Sequence, residues 1–115
     1  MTFLEPGEML VGEPLPGWKG HFFHSENMTF SLYSIAADAA PLHEHHHLQE
    51  EVWTIVEGEV MITIDGEERS VRSGSTAIVP SDTPHSVRPV TACRAVIADY
   101  PLRLELPGSP TVGGK

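Results

Sequence analysis

An all-β fold, an antiparallel sandwich or barrel built as a single domain, is what this sequence predicts, and three observations carry the expectation. The chain has 115 residues, enough for one apolar core and too few for two of ordinary size. Proline and glycine contribute ten residues each, so the chain must turn often. Between the turns lie short runs rich in β-branched and aromatic residues that alternate with period two, and no long helix is expected.

In chain order, residues 1–20 mix Glu with Pro6, Gly7, Gly12, Pro14, Pro16 and Gly17, which suits an extended arm or edge strand able to pair with another subunit. The barrel proper is expected over residues 21–106. Thr29 to Ala36 alternates as a half-buried strand, with Phe30 and Leu32 on one face and Tyr33 and Ile35 on the other. Glu51 to Val56 and Glu59 to Ile64 are β-rich runs separated by Glu57-Gly58, which reads as a tight hairpin, and Asp65-Gly66 marks a second turn before Glu67 to Val71. Thr76 to Val79, His85 to Arg88 and Arg94 to Asp99 supply further short strands, making seven or eight in all. Leu102, Leu104 and Leu106 alternate with Arg103 and Glu105, and residues 107–115 read as a flexible tail.

Composition narrows the function classes. A formal net charge of -9 repels phosphate backbones and anionic lipid, which excludes nucleic acid and membrane surfaces as expected partners. Cys93 is the single cysteine, so no internal disulfide can form, and its strand-like neighbours predict a buried, inert thiol. The start of the chain lacks a basic region and an apolar run, and no stretch approaches the roughly 18 apolar residues of a membrane span. A soluble, cytoplasmic protein is expected.

Four of the seven histidines, His43, His45, His46 and His47, fall within five positions and are followed by Glu50 and Glu51. Imidazole and carboxylate are the ligand set of borderline divalent metals. If His45 and His47 share a strand, period two points both rings to one face, and Glu51 shares their parity if the strand continues. Parity alone also groups His43 with this set and leaves His46 opposite, so it does not choose among the candidates.

The spacing from His45 onward resembles a known family. His45-X-His47, three residues, Glu51, six residues and Gly58 match the first motif of the cupins, whose leading Gly is Ala39 here. Gly74, Pro80 and His85 stand at the matching positions of the second motif, with Asp82 in place of its Gly and Pro89 in place of its Asn. The similarity covers residues 39–89. It implies a compact jelly-roll β-barrel with one divalent transition metal per chain (Fe, Mn, Ni, Zn or Cu) held by His45, His47, Glu51 and His85. His43 and His46 are expected to flank the site, either replacing a neighbour if the register slips by one. His21 and His24 read as surface residues.

Trp53, Ile55 and Val87 share the parity of the site residues and should face the interior, chiefly as packing, while the facing of the Tyr33 phenol is left open by alternation. Asp82 reads as a turn residue whose side chain bonds the backbone two residues on. The resemblance implies a metal-dependent enzyme on a small organic substrate, of dioxygenase, isomerase, lyase or decarboxylase type, and a homodimer. The alternative from another class is a non-enzymatic binding or storage module.

Overall fold

The computed structural model of the chain describes residues 2–104, so the expected tail and the end of the Leu102–Leu106 alternation lie outside the described residues. Among the described residues the chain forms one 3-10 turn, Pro6–Glu8, and ten strands: β1 (Leu10–Leu15), β2 (Trp18–His24), β3 (Thr29–Ile35), β4 (Leu42–His45), β5 (Glu50–Glu57), β6 (Glu59–Ile64), β7 (Glu67–Arg72), β8 (Thr76–Val79), β9 (His85–Pro89) and β10 (Cys93–Tyr100). They assemble into a six-stranded sheet in the order β1-β2-β3-β10-β5-β8 and a four-stranded sheet in the order β4-β9-β6-β7. Every pairing is antiparallel. This is the expected single-domain, all-β jelly roll.

Seven or eight strands were too few, because β1 and β2 occupy a stretch whose prolines and glycines mask its alternation and β4 is only four residues long. β1 pairs with β2 of the same chain, and the boundary expected at residue 20 falls inside β2, whose Trp18 is buried.

Period-two alternation sets the core. On β3 the side chains of Thr29, Ser31, Tyr33 and Ile35 are buried, while Phe30, Leu32 and Ser34 face outward. Trp53 and Ile55 on β5, Ile62 on β6 and Val87 on β9 meet them from both sheets, as their parity predicts. Trp18 lies edge-to-face with Tyr33 at 5.3 Å and with Trp53 at 6.0 Å, and its indole N–H donates to the Ala40 carbonyl at 2.7 Å. Each large apolar side chain buried this way contributes about 1.5–3 kcal/mol, so the aromatic cluster is a principal source of stability. Cys93 is buried, and burial raises its thiol pKa, in keeping with an inert side chain.

Glu57-Gly58 is not a hairpin turn. β5 belongs to the six-stranded sheet and β6 to the four-stranded one, so the chain crosses between the layers at Gly58. There φ is +86°, and a Cβ would come within 2.3 Å of the Ala92 carbonyl oxygen, so conformation and space both require glycine. Asp65-Gly66 is the turn expected: it joins paired β6 and β7, with φ of 49° and 83° as a type I′ turn demands. The contrast is testable. Gly66 has nothing near its Cβ direction, so Gly66→Ala should cost only backbone strain, about 1 kcal/mol, whereas Gly58→Ala should cost about 3 kcal/mol or more. Thermal unfolding of the two variants checks this, and equal losses would refute the crowding at the crossover.

Candidate metal centre

The two sheets place polar side chains at one end of the barrel. On the six-stranded sheet, Thr29, Asp99 and Glu51 are cross-strand partners in one inward row on β3, β10 and β5. On the four-stranded sheet, His45 of β4 is opposite His85 of β9. Thr29, Glu51, His85 and Asp99 are each at most 3% exposed, in a core otherwise nearly all apolar. Groups buried to that degree need partners.

A β-bulge settles which histidines turn inward. Leu42 pairs with Val87 and His45 with His85, so three steps along β4 match two along β9. The parity of the strand breaks there, Leu42 and His45 are both half-buried, and His43 is exposed. His46 is exposed as well, with its ring 3.8 Å from the Asp82 carboxylate. His47 does not continue a strand with Glu51, because β4 ends at His45 and β5 begins at Glu50. His47 sits in the connecting loop, where its carbonyl accepts from the Asp82 N–H at 2.8 Å. Asp82 makes that bond in the left-handed region, at φ 56°, so it takes the conformation a glycine would favour and is not the side-chain-bonded turn residue expected.

The structure brings His45, His47, Glu51 and His85 together. The three rings offer nitrogens that lie within 4.8 Å of one another. The Nε2 of His47 is 3.6 Å from Glu51 Oε2, and the Nε2 of His85 is 3.3 Å from Glu51 Oε1. Donors bound to one ion at 2.0–2.1 Å with tetrahedral angles are about 3.3 Å apart, so the two imidazole–carboxylate separations are compatible with a shared ion. The far sides of the rings fix their tautomers. His45 Nδ1 meets the His43 carbonyl at 3.0 Å, His47 Nδ1 the Gln49 carbonyl at 3.1 Å and His85 Nδ1 the Thr83 carbonyl at 2.8 Å. A carbonyl only accepts, so each Nδ1 carries the hydrogen, and each ring in its neutral form presents its Nε2 lone pair to the centre.

Asp99 and Arg103 join the site without having been predicted. The inward parity of Cys93, Ala95 and Ile97 on β10 extends to Asp99, a signal present in the alternation. Nothing comparable marks Arg103, which follows β10 in an irregular segment. Its backbone N–H donates to Thr29 Oγ1 at 2.8 Å, and the preceding Leu102 carbonyl accepts from Gln49 Nε2 at 2.9 Å. Thus clipped, the guanidinium Nη1 reaches both Glu51 Oε2 and His47 Nε2 at 3.3 Å. Because Nη1 can only donate, that contact independently assigns the lone pair to His47 Nε2.

The electrostatics follow from this packing. Burial works against the charge of Glu51, but the His85 ring, the Asp99 proton and the Trp53 indole, which donates to Oε1 at 2.8 Å, outweigh it and hold the carboxyl well below its usual range. Burial and then the neighbouring Glu51 charge push Asp99 up to about 9, so of two adjacent carboxyls one keeps its proton. Burial lowers His45, and burial with the Arg103 charge lowers His47 to about 4. For His85 burial acts downward, yet Glu51 prevails and raises it. Burial also raises Tyr33, whose ring faces the interior and whose phenol stays protonated.

Whether these residues fit a metal can be judged from His85. Its Nε2 is buried without a hydrogen-bond partner, and its lone pair faces a carboxylate oxygen. Two electron-rich atoms so placed repel unless a cation lies between them, either a proton on the ring or a metal ion, and the converging rings and carboxylate are a donor set that fits a divalent metal. The remaining walls enclose a cavity of about 30 Å³ lined in part by Trp18, Tyr33, Leu42, Trp53 and Ile97, room for about two waters.

Residues 31–98 match the Cupin domain family. The chain belongs to the cupin family. Among curated relatives it is 41% identical over 51 residues to quercetin 2,3-dioxygenase of Bacillus subtilis, a match that covers 44% of this chain and 15% of that enzyme. Among solved structures, an RmlC-like cupin from Shewanella frigidimarina superposes with a TM-score of 0.81 at 19% identity, over 90% of this chain and 93% of that one. Oxalate decarboxylase of Bacillus subtilis, described with Mn(II) centres, gives a TM-score of 0.75 at 17% identity over 85% of this chain and 29% of that one. At such identities the structural matches establish the cupin fold.

The carboxyl pair makes the metal-free protein pH-sensitive. Asp99 has a folded pKa raised above its unfolded value, so its contribution to stability is complete below about pH 4 and is lost as pH rises toward about 9. The lowered His47 acts oppositely, but only below its unfolded pKa of about 6.5. Metal-free protein should therefore lose thermal stability between pH 7 and 9, and Asp99→Asn should flatten the slope. Calorimetry across that range checks it, and an equal slope in the variant would contradict a proton held at Asp99.

Proposed function

We propose that this cupin is a metal-dependent enzyme acting on a small organic substrate, with one divalent transition metal per chain held by His45, His47, Glu51 and His85. The observation that carries the reading is the orphaned His85 Nε2 facing Glu51, with the His45 and His47 rings converging on the same point. When bound, the ion would supply Lewis acidity or, for a redox-active metal, a centre for dioxygen chemistry. The chain's own residues do the rest. The Nδ1–H bonds to backbone carbonyls orient the rings, and the Trp53 indole holds Glu51 in place. The aromatic and aliphatic wall excludes bulk water, and Asp99 keeps a transferable proton beside the site. The names of the matched proteins include a dioxygenase and a decarboxylase, and a dioxygenase, decarboxylase, isomerase or lyase could each use this donor set. A protonated acid and a phenol next to the centre favour an enzyme over a storage module.

His85→Ala and His45→Ala should each lower metal content at least ~10-fold by elemental analysis after reconstitution, while far-UV circular dichroism shows the barrel still folded. Undiminished metal in both variants would overturn the assignment of the ligands.

The reading includes a homodimer. Phe23 stacks on Phe30 at 5.0 Å on the outer face of the six-stranded sheet, and the row continues in register through Ala98, Val52 and the exposed Ile78. An apolar stripe of this kind suits a second copy better than water. The expected solution mass is about twice 12.6 kDa by sedimentation equilibrium, and a single 12.6 kDa species at micromolar concentration would refute it.

A further inference from the structure

Among the described residues Arg103 is the cation that faces the cavity, and its backbone is held there. Thr29 Oγ1 and Gln49 Nε2 hold the two polar groups of the Leu102–Arg103 peptide that precedes it, and its side chain is only 14% exposed. Its Nη1 touches two atoms, His47 Nε2 and Glu51 Oε2, and both belong to the donor set assigned to the metal. A guanidinium and a divalent ion thus compete for the same two atoms. In a cavity walled by Trp18, Trp53 and Ile97, little water is available to screen the repulsion between them.

The charges facing the cavity do not cancel once an ion is present. Glu51 and Asp99 can supply at most two negative charges, whereas a divalent ion and Arg103 bring three positive ones. The excess positive charge calls for an anion, and the place where it relieves most repulsion lies between the ion and the guanidinium. A planar carboxylate can meet the guanidinium fork with one edge and still present an oxygen to the ion.

We propose that Arg103 is the anion-recognition residue of this cavity and that the ligand it accepts is a small carboxylate with a compact apolar body. The apolar body matches the apolar part of the same lining, Trp18, Leu42, Trp53 and Ile97. This inference rests on the metal reading above, and it assigns Arg103 more than the neutralisation of Glu51.

The test uses full-length protein loaded with Co(II), titrated with acetate and, separately, with its neutral isostere acetamide, and followed by the visible absorption of the cobalt. Acetate should bind and shift the spectrum, whereas acetamide at the same concentrations should not. Arg103→Met should weaken acetate binding at least about tenfold, and Arg103→Lys, which keeps the charge but loses the fork, should fall between. Both variants should retain cobalt by elemental analysis, since neither removes a donor atom. Acetate affinity unchanged in Arg103→Met would reduce Arg103 to a counter-ion of Glu51 and sink the proposal, as would loss of cobalt from both variants, which would make it a support of the donor set. Failure of the wild-type protein to take up cobalt is a separate result that overturns the metal reading and this inference together.

Discussion

Glu51 is a carboxylate with almost no access to water, set in the inward row of a sheet whose neighbours are Trp53 and Ile55. Such a charge is expensive unless donors inside the protein replace the hydration it has lost. The surrounding structure meets that requirement several times over. Trp53 donates to one oxygen, Arg103 to the other, Asp99 stays protonated beside it, and the His85 ring, whose pKa the carboxylate raises, compensates it from 3.3 Å when protonated. Removing any one of these leaves part of the charge uncompensated, so the row on β5, the end of β10 and the segment after it are constrained together.

The same requirement explains why the polar residues gather at one end of the barrel and the aromatic cluster occupies the rest. Trp18 packs edge-to-face with Tyr33 and with Trp53 as an aromatic floor beneath the polar row. Trp53 belongs to both regions, since its ring packs in the core and its indole N–H reaches Glu51. The fold and the site are therefore joined through single side chains.

Much of this was legible in the residues. Alternation identified the inward faces of β3 and β5, and the spacing of His45, His47, Glu51 and His85 pointed to four residues that the fold does bring together. What was hidden depended on tertiary register. The bulge in β4 that turns His45 inward and leaves His43 outside has no compositional mark, so period two could not choose between them. A local turn signal at Glu57-Gly58 could not say whether the flanking strands share a sheet, and they do not. Arg103 reaches Glu51 across 52 positions of sequence, from a segment with no regular structure, by way of bonds to Thr29 and Gln49 that are themselves distant in the chain.

The crossover at Gly58 has a thermodynamic meaning. Because the chain changes layers there, Glu51 lies in one sheet while His45 and His85 lie in the other, and His47 bridges them from a loop. The donor set does not exist until the two layers have closed on each other. A cation bound by these atoms would act as a clasp between the sheets and favour the closed barrel over any partly opened form, by mass action on the folded state. Occupancy and layer spacing would then be two readings of one equilibrium, so a substitution deep in the floor of the barrel could retune affinity without touching a donor atom.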